Sequence, residues 1–238
     1  MDLNPTKSYV VSFNKSKSPI MFSYRISGSL LPRASSIKDL GVVLTTDLHP
    51  AEHVGGICMR ANRMLGFLIR TTRELDNLNS LRILYVSLVR PLLEYCAVVW
   101  APHQLYLIAR LESIQTRFLR MVGVKIGFSY LGTPVLEVAQ LLNLQTLACR
   151  RSLMDVCFLQ RLVCGSIDCQ ELLERIDFNL PSRTRSVQLF GRRGVTSNYM
   201  YQSAIPRLHR IGNKVCECVD FFSYSPILFK KKVLTYVL

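Results

Sequence analysis

The sequence predicts an α+β chain that is mostly α: short β strands first, then a helical bundle, then a helical and loop-rich extension. Three observations predict it. Residues 8–14, 19–27 and 37–44 are short runs rich in Val, Ile, Phe, Tyr and Leu, the composition of strands. From residue 53 onward the apolar period changes to that of amphipathic helices. The chain has 238 residues, 49% of them apolar and only 19% charged, which supplies a core and lies far from the composition of disorder.

Taken in order, runs 8–14 and 19–27 are separated by Lys15-Ser16-Lys17-Ser18, a polar link that suggests a hairpin. Run 37–44 contains Gly41, which suggests a bulge or a close backbone approach. Over 53–75, Val54, Ile57, Ala61, Leu65 and Leu68 recur on one helical face, with Arg60, Arg63, Arg70 and Arg73 opposite. Segment 79–100 continues the period through Leu81, Leu84, Tyr85, Leu88, Leu92 and Tyr95, and Pro91 should kink or divide it. Segment 104–122 places Leu107, Leu111, Ile114, Phe118 and Val122 on one face and Arg110, Arg117 and Arg120 on another, with Gly123 as C-cap. Two more helices are expected over 134–142 and 144–163. From 178 to 216 the pattern weakens around Gly191 and Gly194. Seven basic residues (Arg183, Arg185, Arg192, Arg193, Arg207, Arg210 and Lys214) occur there without an acidic one, so the segment reads as a basic, loop-rich tail. The expected division is 1–50, 51–123, 124–177 and 178–238.

Thirty basic residues against sixteen acidic ones give a net charge of +14, an imbalance that favours polyanionic partners. The first twenty residues contain no apolar signal segment. The greasiest stretch, 92–101, contains Glu94 and is shorter than the roughly 20 residues a bilayer span needs. The expectation is an intracellular chain, in nucleus or cytoplasm, without a membrane partner. The eight cysteines include no Cys-x-x-Cys, and His49, His53, His103 and His209 do not stand at zinc-finger offsets from them, so structural thiols are expected and no metal site is assigned, with only Cys164 and Cys169 and the pair Cys216 and Cys218 keeping the alternative open. Asp39 and Asp47 are the nearest carboxylates in the β region, but nothing in their spacing argues that they converge. No phosphate-cradling loop or nucleophile motif occurs, so no catalytic residue is assigned. Tyr85, Tyr95 and Trp100 read as core rather than base-stacking aromatics, His53 as structural, and Lys230-Lys231-Lys232 as a frayed terminus.

One resemblance is specific. Leu3-Asn4-Pro5-Thr6-Lys7 followed by Val10-Val11-Ser12-Phe13 resembles the segment just after the palm active site in reverse transcriptases of non-LTR retrotransposons, the jockey type in particular. The likeness continues through Ile37-Lys38-Asp39-Leu40-Gly41-Val42, then Leu48 and His53, then Ala61 with Leu65-Gly66-Phe67 and Ile69-Arg70. Residues 84–95 with Val98-Val99-Trp100-Ala101-Pro102 resemble the family's most recognisable block, and Leu111-Glu112, Gln115 and Phe118-Leu119-Arg120 follow. Residues 3–122 are covered well and 134–214 loosely.

The resemblance implies the end of a palm, a thumb-like helical domain and a helical extension of an RNA-directed DNA polymerase. It places the catalytic, metal-binding carboxylates upstream of Leu3, so this chain alone is expected to be inactive, with Mg²⁺ and dNTPs serving only a full-length polymerase. The expected partner is an RNA–DNA hybrid or duplex nucleic acid. Such duplexes are contacted by shape and phosphates, and the guanidinium fork suits phosphate oxygens. Arg60, Arg63, Arg70, Arg73, Arg110, Arg117 and Arg120 are the candidate contacts. The competing expectation is a helical scaffold remnant that associates with palm and fingers, or with itself, through exposed strands at Tyr9–Phe13 and 22–26.

Overall fold

A computed structural model describes residues 4, 8–14, 16, 18, 20–179, 188–191, 194 and 197–236. Of the residues singled out above, Leu3, Pro5, Thr6, Lys7, Lys15, Lys17, Arg183, Arg185, Arg192 and Arg193 lie outside the described residues. The chain is α+β and mostly α, with two small antiparallel strand pairs preceding the helices.

The strands pair differently from the sequence expectation. Among the described residues, runs 8–14 and 20–27 do not pair with each other. Val10 instead bridges Arg33 in parallel. Arg25–Ile26 (β1) pairs with Ser29–Leu30 (β2), and Ser36–Asp39 (β3) with Val42–Thr45 (β4). Both hairpins turn on two residues with positive φ, Ser27-Gly28 and Leu40-Gly41. That is the geometry whose twist matches flanking antiparallel strands. Gly41 therefore sits in a tight turn rather than a bulge, although a close approach does occur there: a Cβ would lie 3.4 Å from the Tyr95 ring.

Helix α1 (Ala51–Thr71) follows, burying Val54, Ile57, Cys58, Ala61, Leu65 and Leu68 as its period predicts. The next segment is not one helix. It divides into α2 (Leu78–Leu84), a π-helical turn (Tyr85–Val89), α3 (Arg90–Glu94) and α4 (Ala97–Trp100). Pro91 explains the widening: it has no N–H to give, and its ring crowds the carbonyl one turn back. Cys96, with φ of 55°, separates α3 from α4. Helix α5 (Leu105–Lys125) buries Leu107, Leu111, Ile114, Phe118 and Val122. Gly123 is not its C-cap but lies within it, buried, because a Cβ there would stand 2.2 Å from Thr133 Cγ2. Helix α6 (Val135–Leu141) completes the first core.

Helix α7 (Leu147–Val163) joins two cores: Leu147 packs in the first, while Leu153, Val156, Leu159 and Leu162 pack in a second. Short α8 (Gln170–Leu173) and α9 (Asn198–Gln202) precede α10 (Ala204–Cys216) and α11 (Pro226–Tyr236). Among its described residues the expected loop-rich tail thus contains three helices, α9, α10 and α11, and the last two pack with α7 in the second core. Phe190 meets Phe221 with ring centroids 5.2 Å apart, and Phe221 meets Phe229 at 5.0 Å. Asn213 on α10 fixes Phe190 by accepting from its N–H at 2.8 Å and donating to its carbonyl at 2.9 Å. Lys230-Lys231-Lys232 lie inside α11 rather than on a frayed end. Among the described residues no helix is long and apolar enough to cross a membrane.

Candidate nucleic-acid interface

The arginines sort into two populations, and carboxylates make the division. Glu94 on α3 accepts both Arg150 Nε and, at 2.9 Å, Arg150 Nη2 from α7, with Arg90 Nε 3.7 Å away. Glu112 on α5 accepts from the Leu147 and Ala148 N–H groups at 3.2 and 2.7 Å, capping the positive end of α7. Buried Arg151 stands 3.9 Å from the same carboxylate, and desolvation lowers its pKa. Arg207 on α10 grips Asp155 on α7 at 2.8 and 3.2 Å and donates to the Val98 carbonyl on α4 at 2.7 Å. Burial raises the Asp155 pKa, while the Arg207 hydrogen bond and charge pull it back. Arg207, counted in the sequence as part of a basic, loop-rich tail, therefore ties α10 to both α7 and α4.

The second population is the candidate set. Among the described residues no ion pair involves Arg60, Arg63, Arg70, Arg73, Arg110, Arg117 or Arg120. All are exposed except Arg120, which is half-buried. Helices α1 and α5 lie side by side and parallel. Arg110 Nη1 lies where a Gly55 Cβ would be 3.6 Å away, Arg117 Nη1 reaches Asn62 Oδ1 at 3.5 Å, and Lys125 Nζ donates to the Arg73 carbonyl at 2.8 Å. At about 100° per residue, Arg63 and Arg70 fall on the outward face of α1, next to the seam marked by Gly55 and Asn62. Arg110 and Arg117 flank that seam from α5, and Arg73 follows at its far end. The strip from Arg110 to Lys125 is about 22 Å long at 1.5 Å per residue. That is on the order of six base-pair steps at 3.4 Å each.

Arg60 does not share this strip. It lies on the opposite flank of α1, near enough to His53 for its charge to help lower the His53 pKa, after burial as the larger cause. His53 itself is structural: 2% exposed, it accepts from the Val43 N–H at 3.2 Å and lies against Trp100. Tyr85 and Trp100 are core residues as expected. Tyr85 stacks on Phe118 and donates to Gln115 Oε1 at 3.1 Å, and Trp100 donates to the Tyr95 carbonyl at 2.7 Å. Tyr95 departs from that expectation. It is 59% exposed, its hydroxyl donating to the Leu40 carbonyl at 3.0 Å.

Asp39 and Asp47 do not converge. Asp39 is at the turn of the β3–β4 hairpin, whereas Asp47 lies beyond Thr45 at its open end. Three strand residues separate those ends by about 10 Å. The Asp47 carboxylate accepts from Thr45 Oγ1 at 2.6 Å and from the His49 N–H at 3.0 Å, bonds that hold its pKa below the ordinary carboxylate value. The eight cysteines are unbridged, and among the described residues no group of three or more His, Cys, Asp or Glu side chains is placed to hold a metal ion.

The loop after α5 is a feature that helical periodicity missed, since it has none. Phe128, Tyr130 and Leu131 stand exposed there, and the Arg120 guanidinium lies 5.6 Å from the centroid of the Tyr130 ring. Comparison of the chain with family models, with curated proteins and with solved structures yields no match.

Proposed function

We propose that this chain is the end-of-palm, thumb and extension portion of a non-LTR retrotransposon reverse transcriptase. It contacts template–primer nucleic acid through the α1–α5 arginine strip and does not itself catalyse polymerisation. The observation that carries the nucleic-acid half is the strip: six arginines along α1, α5 and the turn that follows α1, without carboxylate partners among the described residues, while four other arginines are each placed against a carboxylate. Lys125 at the far end of the strip pairs with Asp76 at 3.3 Å, but the six guanidinium groups themselves, without an ion pair among the described residues, leave donors for phosphate oxygens. It positions a backbone without reading bases. Support for the family half is the ordered resemblance, whose blocks also meet in space. Tyr95 bonds Leu40, His53 lies on Trp100, and Tyr85 bonds Gln115.

The test is a comparison of the intact chain with Arg110→Glu/Arg117→Glu on a labelled RNA–DNA hybrid across a salt series. The variant should bind more weakly with a flatter salt dependence, by about 0.9 unit of log–log slope for each phosphate left unneutralised on B-form duplex. An unchanged slope removes the strip from the interface. Primer extension by the purified chain with Mg²⁺ and dNTPs would overturn the non-catalytic half. A second reading, a scaffold remnant, draws on exposed Tyr9, Phe13, Phe22 and Tyr24 in the strand region. A defined oligomer by light scattering with no nucleic-acid affinity favours it.

A further inference from the structure

We infer that the groove between α7 and α11 docks an acidic amphipathic helix of a protein partner, with its apolar stripe on the groove floor and its carboxylates on the cations at the rim. This inference stands apart from the arginine strip, because the described residues that line the groove all come from α7 and α11. The two helices meet where Gln160 Nε2 on α7 donates to the Phe221 and Tyr224 carbonyls at 3.4 and 3.2 Å, just ahead of α11. Phe229 and Val233 then face the second core, which leaves Ile227, Lys230 and Lys231 exposed on α11. On α7, Arg150, Met154, Cys157 and Arg161 recur at steps of four, three and four residues, the spacing of one helical face. Together they form an open groove of about 370 Å³ whose floor takes in Met154, Cys157, Pro226 and Ile227.

Charge selects the occupant. Arg161 and Lys230 border the groove, both exposed, and among the described residues no ion pair involves either. No Asp or Glu among the described residues lines it: α11 contains none, and the one carboxylate of α7, Asp155, is held by Arg207. The third cation there, Arg150, is already paired with Glu94. Burial pushes the Cys157 thiol up, with the charges of Lys230 and Arg161 opposing it, so Cys157 lies near both cations and serves as a small apolar floor group. Ile227 at the edge is 86% exposed, an apolar side chain that the described residues leave uncovered. A floor of thioether and aliphatic carbon between two cations matches a helix that carries both an apolar stripe and carboxylates. A nucleic-acid strand would find no ring there on which a base could stack. From Arg150 to Arg161 the groove face runs about 16 Å at 1.5 Å per residue, the length of roughly three helical turns. A helix docked in such a groove is anchored by side chains at i, i+3 or i+4, and i+7.

The experiment is fluorescence anisotropy of the full chain with three labelled peptides of about four helical turns. The first carries Leu at i, i+4, i+7 and i+11 with Glu and Ala between them, the second has the same composition in scrambled order, and the third keeps the stripe with Lys in place of Glu. The acidic striped peptide should bind roughly tenfold more tightly than either of the others. Ile227→Ser should weaken it roughly tenfold by removing one buried anchor, and Arg161→Glu/Lys230→Glu roughly tenfold by setting like charges together. All three positions are exposed, so the variants should melt with the unmodified chain. Arg25→Glu/Lys38→Glu, at two exposed positions on the hairpins, changes the net charge equally and should keep the peptide affinity. Absence of binding by the acidic striped peptide overturns the inference, as do equal affinity for the scrambled peptide, an affinity that survives both groove variants, and an equal loss in the hairpin variant. If Arg161→Glu/Lys230→Glu weakens binding of an RNA–DNA hybrid as much as binding of the peptide, these cations serve nucleic acid and the inference is likewise overturned.

Discussion

Replacing Arg207 with alanine removes both hydrogen bonds to Asp155 and the bond to the Val98 carbonyl at once. The Asp155 side chain is 3% exposed and Arg207 15%, so the pair is shielded from water and water cannot replace the missing partner. Removing one member of a buried pair typically costs about 3–5 kcal/mol, because the other charge is left uncompensated. The loss depends on pH in a definite direction. Burial already raises the Asp155 pKa above 3.8, and Arg207 supplies the largest opposing influences. Without Arg207 the folded-state pKa rises further, so the folded variant holds a proton where the unfolded chain does not. Its stability should therefore recover as pH falls through that raised value. Urea unfolding at pH 7 and pH 5 measures both parts: a penalty of about 3–5 kcal/mol relative to the unmodified chain at pH 7, and a smaller one at pH 5. A penalty below about 1 kcal/mol, or one equal at both pH values, would refute the assignment of this pair as the clamp between α10 and α7. Arg207→Met/Asp155→Leu should recover much of the loss, since apolar replacement of a whole buried pair is often neutral.

Three further outcomes follow from particular residues. His53 has its pKa lowered by burial, so its contribution to stability is fully present above the unfolded value of about 6.5 and is lost as pH falls through the folded one. A His53→Gln chain should show a flatter stability profile between pH 7 and 5, measured by thermal melting. Leu40, with φ of 42° and 83% exposed in the β3–β4 turn, is an unsuited residue there. Leu40→Asn should raise stability by about 0.5–1 kcal/mol in urea titration, Asn being favoured at positive φ in such turns. Gly123→Ala drives a methyl into Thr133, which must move, at a cost of about 1–3 kcal/mol by the same assay. Gly123→Ala combined with Thr133→Ala should cost less than the two single changes summed.

The long helices were legible because their packing partners ask for nothing beyond a stripe. In α1 and α5 the buried positions are largely the apolar ones at helical spacing, and period alone identified them, whereas α7 was legible only as a helix, since Arg151, Asp155 and Gln160 are buried among its apolar residues. Helix α10 carries the same stripe in Leu208 and Val215, but its third core-facing position is Gly212, which reads as a breaker. The space a side chain would fill there belongs to Phe190 and Leu159, whose atoms stand 2.6 and 2.7 Å from an added Cβ, and no local pattern announces a ring arriving from another segment. The hairpins were missed for a related reason. Strands of two to four residues carry little alternation, and the decisive signal is a residue–glycine pair at a two-residue turn. Charge was the least legible property. Arg110 and Arg207 look alike in sequence, yet one stands in solvent without a carboxylate and the other is held against buried Asp155, because partners such as Glu94, Glu112 and Asp155 come from distant segments. Of the candidate arginines, Arg60 alone leaves the strip, since the sequence reading grouped four residues that span more than one side of the helix.

The central claim is that the α1–α5 strip holds a nucleic-acid backbone, and the most direct measurement is affinity of the intact chain for an RNA–DNA hybrid across a salt series. Six arginines at most could neutralise phosphates, so the log–log slope should be steep, with magnitude up to about 5 if each contact contributes as on B-form duplex. Binding that strengthens as salt falls, with such a slope, is the predicted result. A folded chain, established by circular dichroism on the same sample, that fails to bind the hybrid at low salt would contradict the account.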